Sequence, residues 1–178
     1  VLTSTPLQTT YGQYGVVGQV GMPATMVGWD VDNRILEDPT GNGVGFGLAV
    51  CQGYKSDKGV TLGQLSGGAL VGITRADPAL PIYSTTPAGS NPRKVDTYYD
   101  TDNVAVMVRG DMWVLPATPV NSGDPAYFNS VTGQLGNSGI PNAVAIKNSR
   151  WEISSPNASQ PLVPFNGLAV LRIGASAQ

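Results

Sequence analysis

Between Asn103 and Leu135 the chain alternates its side chains one for one, in runs that suit strands and leave no room for a helix. Val104, Val106 and Val108 interleave with Ala105, Met107 and Arg109, and further on Met112 and Val114 interleave with Trp113 and Leu115. A repeat of two puts successive side chains on opposite faces of a sheet, whereas a helix face needs apolar residues three and four apart. Gly110-Asp111, between the two runs, has the composition of a tight turn, so the expectation is a β-hairpin. Beyond Pro116 and a Pro/Asn/Ser/Gly loop, Pro125 to Asn129 reads as another strand, and Ser130-Val131-Thr132-Gly133 as the turn that sends it back. The whole stretch is expected to form the central antiparallel sheet.

The same pattern recurs in shorter pieces. Phe46 to Gln52 is an apolar run of the kind buried on both faces; Val60 to Leu62, Leu70 to Thr74 and Trp151 to Ser154 read as short strands, and Leu168 to Ile173 alternates. Asp30 to Asn42 carries charges and ends in turn residues, so it reads as an exposed loop. Pro78, Pro81, Pro87 and Pro92 break the stretch Ala76 to Lys94 into a long loop, and Gly136 to Ala143 and Ser155 to Pro164 are loops by the same logic. With 178 residues, 23 glycines, 14 prolines and only 12% charged residues, one domain is the default. The expected fold is all-β: a single antiparallel β-sandwich or barrel, a jelly roll among the options, with an extended N-terminal arm and long Pro-rich loops.

Residues 1–29 contain no Asp, Glu, Lys or Arg, yet carry Tyr11, Tyr14, Met22, Met26 and Trp29. Solvated tails are usually rich in charge. This segment is expected to lie against something: either as an arm on a neighbouring chain, where uncharged extended sequence pairs with sheet edges, or as a first strand of its own domain. Residues 30–178 are then one β domain.

Composition excludes several kinds of chemistry. Ten basic and twelve acidic residues give a net charge of -2, which offers no field for a phosphate backbone, so nucleic acid is not an expected partner. There is no histidine, which removes the usual general base and the commonest metal ligand. The one cysteine, Cys51, lies in the apolar run FGLAVC and reads as a small buried residue. No apolar run approaches the roughly 18 residues of a membrane-spanning helix, and the N-terminus lacks the basic start and apolar core of a signal peptide, so neither a membrane nor export is expected. Asp96, Asp100 and Asp102 could offer oxygen ligands to a calcium ion, but their spacing matches no calcium loop and solvated turn acids are far commoner. Asp30 and Asp32 would share one side of a strand without a partner carboxylate for hydrolysis. Gly41 to Gly47, GNGVGFG, is followed by a strand-type run instead of a helix, so a turn explains it better than a phosphate loop. Arg109-Gly110-Asp111 spells an adhesion tripeptide but is also turn sequence, and Asn157-Ala158-Ser159 fits a glycosylation sequon that reads as loop. Trp29, Trp113 and Trp151 would make a sugar-stacking platform if exposed; core or interface packing is their commoner role. No enzyme, cofactor or metal site is expected.

The order of GFGLAV, GALVGIT, VAVMVRGDMWV, SGDPAYFNSVTGQL, IPNA, SRWEISS and NGLAVLRI, from about Gly43 to Ile173, resembles the structural cement or decoration proteins of tailed bacteriophages. No single piece is diagnostic; the ordering is more specific than its parts. The resemblance implies a non-enzymatic all-β virion protein on the outer capsid surface, dimeric or trimeric, that binds the major capsid protein and bridges its neighbouring subunits. It carries over no catalytic residues. Large interfaces are depleted in charge at their cores, so the uncharged segments supply the candidate contacts with the capsid or with another subunit: Tyr11, Tyr14, Met22, Met26 and Trp29 at the N-terminus, and Tyr127 and Phe128 after the hairpin. The alternative is a carbohydrate-binding β-sandwich module of a fibre or spike.

Overall fold

The computed structural model describes residues 18–25, 28–64, 67–77, 96–152 and 168–174. They form strands and turns: β1 (Asp30–Leu36), β2 (Val44–Gly45), β3 (Ala49–Gln52), β4 (Gly59–Leu62), β5 (Leu70–Thr74), β6 (Thr97–Tyr98), β7 (Asn103–Val114), β8 (Tyr127–Asn129), β9 (Leu135–Gly136), β10 (Ala143–Ala145), β11 (Ser149–Glu152) and β12 (Ala169–Ile173). The strands β1, β4, β3, β5 and β7 pair in that order, and β7 pairs back to β1, which closes a ring. Every pairing in the ring is antiparallel except β1 with β4, which run parallel. The all-β expectation therefore takes the form of a barrel, and closure leaves the ring strands without open edges along their paired lengths.

Two cores explain the apolar patterns. Leu36, Val50, Val60, Val104 and Val106 come from four of the ring strands and cluster with Val44 and Tyr98. Alternate residues of ring strands, Ala49 and Cys51 of β3, Ile73 of β5 and Met107 of β7, belong to a second cluster with Met112, Phe128, Leu135, Trp151 and Leu171. That is why β3 is apolar at successive positions: its two faces serve two cores. Burial pushes the Cys51 thiol up to about 12, in keeping with a small structural residue. A three-stranded sheet, β10-β8-β9, and the extension β7-β12-β11 supply the rest of the second core.

Two expectations are corrected. Asn103–Val114 is one strand and no hairpin: Gly110-Asp111 does not reverse the chain. Gly110, at φ 127°, is where β7 changes partners, from β1 and β5 along Asn103–Arg109 to β12 along Gly110–Val114. The strand bends there. Arg75 N donates to Ala105 O, Ala76 N to Gly21 O, and Gly21 N to Trp113 O, a short path between residues that a straight strand would hold roughly 26 Å apart. Glycine marks a bend in this chain instead of a turn, and the side chain of Trp29 occupies the space a Gly110 Cβ would need.

The second correction is Asp30–Leu36, a seven-residue strand where a loop was expected. Its charges are paired: Arg34, whose side chain is only 17% exposed, lies 2.8 Å from Asp32, Lys58 lies 3.6 Å from Asp32, and Arg109 lies 3.9 Å from Asp30. Charge pairs along and across strands allow so polar a sequence to stand in a sheet, while Leu36 enters the first core. Just beyond it, buried Glu37 accepts the amides of Tyr54, Lys55 and Ser56 at 2.8–3.1 Å and so fixes the turn between β3 and β4.

Candidate functional site

The second half of β7 is the element around which the exposed candidates gather. Residues 18–25 lie along one of its edges: Trp113 N donates to Met22 O at 2.9 Å and Ala24 N to Asp111 O at 2.7 Å. Gly18 sits so close to the Trp113 indole that a Cβ there would fall within contact of the ring. Residues 18–25 thus pair with their own domain. The pairing leaves Met22 44% and Trp29 37% exposed. Arg75 stands 4.9 Å from the Trp29 ring centre, a cation–π contact that orients the indole while part of it stays open to solvent.

Tyr127 and Phe128 separate. They are neighbours on β8, so their side chains take opposite faces. Tyr127 is half-buried at the surface, whereas Phe128 is fully buried in the second core and is not available to a partner. Tyr11, Tyr14 and Met26 lie outside the described residues, as does most of the proline-rich stretch from Ala76 to Lys94. The three tryptophans form no platform, because Trp113 and Trp151 are buried and Trp29 alone is open.

A site that the sequence did not suggest lies on the outer face of β7, β12 and β11. The registers place Asp111 beside Arg172 and Arg172 beside Arg150 across three strands. Arg172 donates to both Asp111 oxygens, at 2.7 and 2.9 Å, and Glu152 lies 2.8 Å from Arg172 and 2.6 Å from Arg150. Two like charges directly opposite would repel; the two carboxylates turn the row into a neutral lattice. Hydrogen bonds from Arg172 hold the Asp111 carboxyl below its ordinary range, against the opposing effect of burial. Ala24, Thr25, Ser122, Gly123 and Trp113 wall this lattice into a cleft of about 590 Å³. The signal was present in part: the β12 alternation sets Arg172 opposite to Leu171, and Arg150 and Glu152 share a face of β11. The reading of Asp111 as a turn residue hid the fourth member.

The remaining candidates serve the backbone. The Asp38 carboxylate accepts the amides of Thr40 and Gly43 at 2.9 and 2.7 Å, and Gly41, Gly43 and Gly47 have positive φ, so GNGVGFG is a turn built on an aspartate. Asp100 accepts the Asp38 amide and Asp102 the Tyr99 amide, both at 2.8 Å. Among the described residues no three Asp, Glu, Cys or His side chains stand close enough to hold a metal.

Fold and surface together define a small all-β protein with two exposed apolar side chains, Met22 and Trp29, and a charge-laced cleft. Residues 7–174 match the structural cement protein family (E217 gp24/Pam3 gp6), and the chain belongs to that phage structural family. The resemblance carried by the order of its strand motifs is thereby confirmed. A chain from the capsid of Myoviridae phage XM1 has a similar fold, with a TM-score of 0.61 over 96% of this chain and 98% of that one, at 14% identity. No curated protein matches.

Proposed function

We propose that this chain is a non-enzymatic virion component that binds the outer surface of a tailed-phage capsid, contacts the major capsid protein and cements neighbouring subunits as a dimer or trimer. The observation that carries this reading is the cement-family match across residues 7–174. A clamp that binds the assembled lattice more tightly than its separate subunits stabilises the lattice by that difference in affinity. Such a task needs an apolar surface of low charge. Met22 and Trp29 offer exposed apolar side chains along the second half of β7, with Tyr127 as a further contact on β8. Tyr11, Tyr14 and Met26 belong to the same uncharged segment and remain candidates for contact with the capsid or with another subunit.

The test adds purified protein to capsids of the source phage stripped of this chain, and measures occupancy by electron microscopy and shell survival on heating. Restored, lattice-ordered density on the outside, with a higher melting temperature of the shell, is the expected result. Density inside the shell, or none, would overturn the reading. The double variant Met22→Ala, Trp29→Ala should bind more weakly while its circular dichroism is unchanged; full occupancy by that variant would remove the patch from the contact surface.

A further inference from the structure

β10 is the outermost strand of the β10-β8-β9 sheet. Ser130 N donates to Asn142 O and Ile146 N donates to Ala126 O, which ties residues 142 and 146 to β8. Alternation then turns the amides and carbonyls of Ala143 and Ala145 to the opposite edge, where no strand among the described residues pairs with them. Both alanines are exposed. Val144 to Lys147 form one wall of a groove of about 340 Å³, Ala69 to Gly72 at the start of β5 face it, and Val108, Phe128 and Ile173 lie between. Among the described residues, Lys147 is the one charged residue along it. An apolar slot with unpaired main-chain groups on its rim suits an added strand: the backbone supplies hydrogen bonds, and alternate side chains enter the groove.

We propose that this groove receives, as an added strand, the uncharged residues 1–17 of a second copy of this chain. Those residues carry no charge to bury and include Thr, Val and Tyr, which suit a strand. They join the domain at Gly18, against Trp113, whose side chain lies on the outer face of β7; Phe128 and Ile173 in the groove belong to the core beneath that sheet. Seventeen extended residues span at most roughly 60 Å, against a radius of gyration of about 16 Å for a compact chain of this length. The segment can thus reach a neighbour without crossing its own sheet. The proposal rests on the self-association in the function proposed above and gives it a partner surface.

Disulfide trapping in the full-length chain tests it. One chain carries Ala145→Cys; the other carries Thr5→Cys, Thr9→Cys or Gln13→Cys in turn, so that register is sampled. Cys51 is buried and its thiol resists ionisation, so it should not compete. The expected result is a cross-linked pair of unlike chains on mixing, well above that formed with Lys58→Cys in place of Ala145→Cys. A cross-link that forms only within one doubly substituted chain, or only to the major capsid protein on particles, would overturn the proposal. Light scattering separates the two levels: an oligomer with no cross-link at any register overturns strand addition and leaves self-association standing, whereas a monomer at all concentrations overturns both.

Discussion

Glu37 and Asp111 are both buried carboxylates, and each is stabilised in a different way. Glu37 is held by main-chain amides. Replacing it with Gln leaves one oxygen where two accepted, with an amide group facing other amides, and should lower stability by about 1.5–3 kcal/mol in urea unfolding. Amide exchange at Tyr54, Lys55 and Ser56 should speed up in the same variant. Asp111 is held by a guanidinium that is partly open to solvent, so Asp111→Asn should cost less, about 1–2 kcal/mol near neutral pH. Because folding depresses the Asp111 pKa, this contribution is complete above the unfolded carboxyl value of about 3.9 and is lost as pH falls through the lower folded value. The melting-temperature gap between Asp111→Asn and the parent should therefore hold from pH 7 to about pH 5 and close below about pH 4. A gap independent of acid would mean that the ion pair with Arg172 is not its source.

Strand β7 carries the main lesson about elements. Its alternation was plain in the sequence, but the composition of Gly110-Asp111 serves a turn and a bend equally well, and only the partners on its two edges decide between them. Gly110→Val would strain the φ of 127° and push on Trp29, so a loss of at least roughly 1–3 kcal/mol is expected, with near-ultraviolet dichroism of the tryptophans altered. β5 was legible to the residue, and β3, β4 and β12 nearly so, because their apolar residues report burial directly; β11 starts at Ser149, two residues before the expected Trp151. β1 was not, because its charges look like loop sequence until Asp32 meets Arg34 and Lys58. The Asp111–Arg172–Glu152–Arg150 lattice was hidden for a related reason: its members are local to three strands, and register alone brings them together. Tyr127 and Phe128 were one uncharged patch in the sequence; alternation, applied to β8, would have sent one of them inward.

Over the whole molecule, the two cores share β3, β5 and β7, so neither can be lost without exposing the other. Unfolding should be a single transition, and labelling of Cys51 by a thiol reagent should follow it with the same midpoint as circular dichroism; earlier labelling would show that the second core opens alone. The arrangement around β7 also sets an order in time. Residues 21–24 hold one edge of its second half and β12 holds the other, so the earliest and latest described segments meet in the middle of the chain. A ribosome has to deliver β12 before this sheet can close, and until then the second half of β7 waits with an open edge. Closure of this sheet should accordingly wait for β12 and then proceed on the millisecond-to-second scale of β topologies dominated by distant contacts.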